Sequence, residues 1–300
     1  MVPTDADAAD LHALAARHGL RLTGPLSINE LGLDYRIVIA AVDDGPRWVL
    51  RIPRRADVSA KIEREARALA MLRSRLPFAV PDWRIASPEL IAYPMLEDPT
   101  AISVQPGTTT PEWAVPQDSA IFADSLAAAI AALHTVPVDA AIDAGMRVRT
   151  PAQARQQVAD DLDRVRRELA VHEQRLARWQ RWLDDDASWP DFCAVVHGDL
   201  YVGHVLVDRA ERVTGMIDWS EARVDDPSID LTSHLMVFGE VGLTKLLDAY
   251  AAAGGRRWPR IADHTAERLA AWPVTYALFG LESGDATHLA AAQAQLATPA

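Results

Sequence analysis

The feature that most constrains this chain is the stretch C-A-V-V-H-G-D-L-Y-V-G-H-V-L-V-D at residues 193–208, with V-T-G-M-I-D-W-S-E following at 213–221. Residues 194–196 form an apolar run of strand type that empties into His197, Gly198 and Asp199. A second run, 205–207, is turned by 208–212, and a third, 213–217, ends on Asp218 and Trp219. Such a pattern predicts a hairpin whose edge carries Asp199, His204 and Asp218 together, within reach of a single polyanion or metal. The remainder of the chain then serves to hold a phosphate donor and an alcohol over that edge.

Phosphoryl transfer asks a protein for positioning, a metal on the phosphates and a carboxylate that orients the acceptor oxygen. Asp199, directly after His197 and Gly198, is placed to accept the proton of a hydroxyl. His204 and Asp218 can hold a divalent cation beside it; a carboxylate suits magnesium, an imidazole less so. Upstream, Val49 and Arg51 alternate to one face of a strand, so Val49 can lie against a base while Arg51 reaches a phosphate. Glu65 on the next helix can pair with Arg51. The segment 26–34, with Ser27 and Gly32, can fold over the phosphates, Gly32 allowing close backbone approach. Plainer roles stay open for each: a turn or strand-end aspartate at 199 and 218, a loop-bracing hydrogen bond at His204 and His197, an exposed ion pair worth about 0–1 kcal/mol at Arg51 and Glu65. Asp226 and Asp230, in D-D-P-S-I-D-L, read as helix-start and loop-bracing residues or as contacts for a substrate cation.

The surrounding pattern is α+β. It predicts a helix at 7–18, strands at 20–28, 35–42 and 48–52, a helix at 58–76 and short strands at 83–86 and 90–93. A proline-rich and polar stretch from 94 to 107 marks a boundary. Helices then predominate, at 117–136, 151–183, 227–238, 242–253 and 259–281, interrupted by 194–218, and the tail after His288 is a low-complexity Ala/Gln segment. The expected arrangement is a β-rich lobe over 1–98 and a helical lobe over 99–300. No apolar run is long enough to span a bilayer, and 1–10 carries acids where a signal peptide would be basic. The net charge of −12, from 30 basic and 42 acidic residues, argues against nucleic-acid or membrane binding. A single cysteine, Cys193, rules out an internal disulfide and suits a buried, inert thiol. A monomeric cytoplasmic chain is expected.

The motifs H-G-D-L-x-x-x-H, I-D-W-S-E-A, D-D-P-S-I-D-L, V-L-R-I-P-R-R and R-E-A-R-A-L resemble the aminoglycoside phosphotransferase superfamily, which has the bilobal protein-kinase-like fold. Their combination with N-E-L-G-L-D-Y-R is similar to the macrolide 2′-phosphotransferases, over about residues 26–240. The resemblance implies Asp199 as catalytic base, His204 and Asp218 as magnesium residues, and Tyr93, Met95 and Leu96 as a hinge against the purine. It implies GTP as donor, with ATP as the other choice. The 2′-hydroxyl of a macrolide amino sugar would be the acceptor, with antibiotic resistance as the outcome. Two departures from the superfamily stand out: His204 replaces an asparagine and Arg51 a lysine, and arginine can still grip a phosphate bidentately. Pro94 removes one backbone donor from the hinge. Another small-molecule kinase of this fold, a nucleotide-binding pseudoenzyme and, more distantly, a metallohydrolase remain as alternatives.

Overall fold

The computed structural model describes residues 5–30, 34–104 and 110–299. Helix α1 (Asp5–Arg17) stops where Gly19 takes a positive φ of 76°. It lies on an antiparallel sheet of strands β1 (Leu22–Asn29), β2 (Tyr35–Val42) and β3 (Arg47–Pro53). Helices α2 (Ala56–Ser59) and α3 (Ile62–Arg73) follow, then strands β4 (Ile85–Ala86) and β5 (Ile91–Pro94) complete the sheet in the order β1-β2-β3-β5-β4. Alternation divides the sheet into two faces. Val38, Ala40, Val42, Leu50 and Ala92 join Leu11 and Ala15 of α1 in one buried cluster. On the other face Tyr35, Ile91 and Tyr93 pack with Val58 and Ile62, and Val49 lies against them.

The rest of the chain begins with a small ladder, β6 (Ile102–Val104) with β7 (Pro111–Trp113), followed by α4 (Ala120–His134), α5 (Val138–Asp143), α6 (Pro151–Glu168) and α7 (Glu173–Asp184). Strands β8 (Ala194–Val196), β9 (Val205–Val207), β10 (Val213–Met216) and β11 (Arg223–Asp225) carry the central motifs. Helices α8 (Ile229–Ala252), α9 (Ile261–Ala270), α10 (Trp272–Ser283) and α11 (Ala286–Leu296) close the chain. Backbone hydrogen bonds tie the two regions together. Ala79 N–H donates to Thr214 O (2.8 Å) and Ala79 O accepts from Met216 N–H (2.9 Å).

The α+β expectation holds, with corrections at the element level. The helix expected over 58–76 is two pieces, α2 and α3, and the one expected over 151–183 breaks between Leu169 and His172. There Leu169 is extended, and the His172 ring caps α7 by accepting from Gln174 N–H at 3.2 Å. The helix over 259–281 is divided at Ala271. Gly239, at φ 68° and ψ −173°, breaks α8 between the two expected segments. The tail expected to be low-complexity is helix α11, and β6, β7, α5 and β11 add elements the pattern did not signal. Among the described residues no helix is long and apolar enough to cross a membrane.

Candidate active site

The apolar run 194–196 pairs with β11, and β9 pairs with β10, so the expected single hairpin is two antiparallel ladders side by side. They still deliver the three predicted groups to one edge. His204 lies between the carboxylates, its Nδ1 3.8 Å from Asp199 Oδ2 and its Nε2 3.8 Å from Asp218 Oδ2. Its Nδ1 also bonds the Asp199 carbonyl at 2.8 Å. A carbonyl only accepts, so Nδ1 donates to it, which leaves Nε2 facing Asp218. The Tyr201 ring lies edge-on to His204 with centroids 4.4 Å apart, and Gly203 leaves the room for it: a Cβ there would meet the Tyr201 ring at 2.3 Å.

The 3.8 Å between His204 Nε2 and Asp218 Oδ2 has room for a cation that would bond each at about 2.0–2.3 Å in place of a proton on Nε2. Among the described residues no three His, Cys, Asp or Glu side chains gather tightly enough to hold a metal unaided. A cation here would need its other ligands from water or phosphate oxygens, as magnesium commonly takes them. Asp218 sits in the left-handed region at φ 63° and accepts from the Ser220 hydroxyl at 3.0 Å. Burial pushes its carboxyl up, but Arg51, His204 and the Ser220 hydroxyl outweigh this and hold it below the usual carboxylate range. Asp199 behaves in the opposite way. The surrounding cleft wall raises its carboxyl, Asp218 and Glu221 add to the rise, and His204 opposes it.

The loop bearing Asp199 is braced from beneath. Asp230 accepts from the backbone N–H groups of His197 (2.8 Å) and Gly198 (2.9 Å) and is bonded by His134 Nε2 at 3.2 Å. The buried His197 ring donates from Nε2 to Ile217 O (2.9 Å), and burial keeps its ring below the usual histidine range and hence neutral. Asp226 is wholly buried among His264 Nε2 (2.6 Å), Arg268 Nη2 (2.5 Å) and Ser228 N–H (2.9 Å). Neither aspartate presents a free oxygen to a substrate cation. The bracing roles therefore replace the substrate contacts expected for Asp226 and Asp230.

From the sheet, Arg51 reaches down to this edge. Its Nη2 is 3.6 Å from Asp218 Oδ1 and its guanidinium lies 4.2 Å over the Tyr35 ring. The pairing expected with Glu65 is corrected: no ion pair joins them among the described residues. Glu65 instead lines a small cavity with Trp219 and Ser220, where burial pushes its carboxyl up to about 7. Val49 shares the face of Arg51 as expected. Ser27 is exposed in β1, paired with Ile39. Gly32 lies outside the described residues. In the hinge segment Tyr93 is buried, and Met95 N–H is engaged by Arg47 O at 2.8 Å, so it is not open to a purine; Leu96 follows half-buried. The Cys193 thiol is pushed up to about 12, by burial first and by Asp225 and Asp226 next, in keeping with an inert role.

Beside Asp199 a groove of about 340 Å³ opens between α6 on one side and α8, α9 and α10 on the other. Gln157, Asp161, Glu221, Arg223, Arg268 and Trp272 are among its walls. Sequence reasoning missed this set. It is assembled from segments more than a hundred residues apart, and the one local signal was the polar pair Gln157 and Asp161, one turn apart on α6.

A model of the phosphotransferase enzyme family matches residues 28–264. The chain is similar over its full length to the solved structure of a macrolide 2′-phosphotransferase type I, at 72% identity and a TM-score of 0.95, with 100% of both chains covered. A macrolide 2′-phosphotransferase from Brachybacterium faecium, solved as the apoenzyme, aligns at 43% identity and a TM-score of 0.90, over 98% of this chain and 99% of that one. An uncharacterised protein of Bacillus subtilis (strain 168), YcbJ, is 40% identical over 285 residues, 93% of this chain and 92% of its own.

Proposed function

This chain belongs to the phosphotransferase enzyme family, with its kinase-like fold and a hydroxyl as phosphate acceptor, and we propose that it moves the γ-phosphate of GTP to the 2′-hydroxyl of a macrolide's amino sugar. The observation that carries the reading is the Asp199–His204–Asp218 edge with Arg51 above it, on a chain 72% identical throughout to a macrolide 2′-phosphotransferase. The preference for GTP over ATP rests on the sequence resemblance alone. Residues 1–98 form the nucleotide-binding lobe, with the hinge at 93–98 and Val49 against the base, and 99–300 form the lobe that takes the acceptor.

In this reading the acceptor hydroxyl donates its hydrogen bond to Asp199 and loses its proton there as the new P–O bond forms and the bond from the γ-phosphorus to the β–γ bridging oxygen breaks, GDP carrying that oxygen away. The raised proton affinity of this carboxyl suits it to receive that proton. Asp218 and His204 would hold magnesium, which would supply positive charge to the transferring phosphates. Arg51 grips a phosphate oxygen and keeps Asp218 ionised. Asp230, through His197 and Gly198, fixes the direction in which Asp199 points.

The test is a transfer assay with the purified chain, magnesium, GTP or ATP, and erythromycin. Asp199→Asn is expected to lower kcat by about 10²–10⁴-fold while nucleotide binding persists. Transfer to other alcohols but to no macrolide rejects the macrolide reading, and nucleotide binding with no transfer in the wild type rejects the enzyme reading.

A further inference from the structure

The arginines around the acceptor groove are already engaged. Arg149 donates to Asp225 (2.5 Å) and to Gln157 Oε1 (3.1 Å). Arg223 donates to Asp225 (2.6 Å) and to Glu221 O (2.7 Å), and Arg147 to Glu221 (3.2 Å). Arg268 is held by Asp226 (2.5 Å) and the Ser228 hydroxyl (2.8 Å). Among the groove's carboxylates, Asp225 and Glu221 absorb these charges and Asp199 faces the reacting hydroxyl. Asp161, on α6, is left over. It is half-buried, it accepts from Gln157 Nε2 at 2.9 Å, and among the described residues no cation lies within ion-pair distance of it. Arg164, one turn along the helix, is taken by Glu282 at 2.9 Å. Burial raises the Asp161 carboxyl, and Gln157 and the more distant Arg149 offset this only in part.

A half-buried carboxylate without a cation is unfavourable, and such groups gather where a ligand supplies the missing charge. Asp161 also borders a second, smaller cavity of about 80 Å³, walled by Val158, Trp179, Trp182 and Val274. A negative charge beside an apolar recess matches an ammonium group that carries alkyl substituents. We propose that Asp161 is the counter-ion for an alkylated ammonium on the acceptor, orienting an amine-bearing alcohol in the groove relative to Asp199. This rests on the reading of the groove as the acceptor site and deepens it, because it makes the amine, and not the macrolactone ring, the group recognised there.

The experiment compares wild type, Asp161→Asn and Asp161→Glu on erythromycin and on its analogue with the dimethylamino group replaced by hydrogen. Asp161→Asn is expected to raise KM for erythromycin by about tenfold or more, as for loss of a partly buried charge pair, with kcat and the KM for GTP little changed. On the neutral analogue it is expected to change nothing, and Asp161→Glu is expected to restore part of the loss on erythromycin. An equal effect on both acceptors, or none on either, overturns the assignment; the KM for GTP reports whether the variant is folded. If wild type phosphorylates no macrolide, the reading above fails by itself. The Asp161 assignment is then judged on alcohols with and without alkylated amines. Transfer confined to the neutral ones, or to none, overturns it, while transfer to the amines, weakened in Asp161→Asn, upholds it.

Discussion

Gly198 shows how little room the reacting loop has. Its φ is +86°, and a Cβ added there would lie 2.3 Å from Glu221 O and 2.7 Å from Arg223 Nη1. Its N–H donates to Asp230, so the backbone cannot rotate away without losing that bond. Gly198→Ala is therefore expected to store roughly 1–3 kcal/mol of strain and to displace Asp199 next to it. The activity loss should exceed what the change in Tm accounts for, and comparing kcat with a thermal melt decides this; an unchanged kcat would mean that the loop has slack. At this scale the meeting of Asp199, His204 and Asp218 at one edge was legible, because each borders a short apolar run. Arg51 was placed on the right face but given the wrong partner, since periodicity assigns a face and not a distance. Asp161 was not legible. Its importance depends on which arginines are engaged elsewhere, and those pairs join residues as far apart as 149 and 225 or 226 and 268.

Among the elements, α11 most clearly separates composition from structure. An Ala/Gln tail reads as low complexity, yet Gly284 closes α10 at φ 67° and Asp285 caps the next helix, accepting from Thr287 N–H at 2.7 Å and His288 N–H at 3.3 Å. That Gly-Asp stop and start, with Leu289, Ala292 and Leu296 at helical spacing, was the available signal. Gly280 lets the helix close in on α10, with Leu289 backbone 3.1 Å from where a Cβ would sit. Ala292 and Leu296 are fully buried with Trp179 and Val274, and the Gln293 side chain bonds both the N–H and the carbonyl of Ala170. Leu296→Ala is expected to destabilise the protein by about 2–5 kcal/mol, read as a drop in Tm. A change within error would mean that α11 is not docked in solution. The same helix holds the α6–α7 break, since His172 N–H donates to Leu296 O at 2.9 Å. No pattern within 151–183 could announce that break, because its partner lies at the other end of the chain.

Across the whole molecule the cleft is short of positive charge. The chain carries a net −12, and the sheet and the helical region meet over Glu65, Asp199, Asp218 and Glu221, with Arg51 already drawn to Asp218. Glu65, at this junction, shows the consequence: burial raises its carboxyl from 4.5 to about 7, Glu221 adds to the rise, and Arg51, Arg64 and Lys61 only partly oppose it. The folded protein thus holds a proton at Glu65 that the unfolded chain gives up near its ordinary value. Stability from this site is fully present below about pH 4.5, declines as the unfolded state ionises, and is gone once the folded state ionises near pH 7. The shift sets an upper bound of about 3 kcal/mol, less whatever water reaching the cleft screens. Glu65→Gln keeps the shape and stays uncharged at every pH. Its Tm should match the wild type near pH 4.5 and exceed it by several degrees at pH 8, the gap opening between those limits. A difference independent of pH would mean that Glu65 ionises normally, and that the cleft in solution is wetter or richer in cations than its packing indicates.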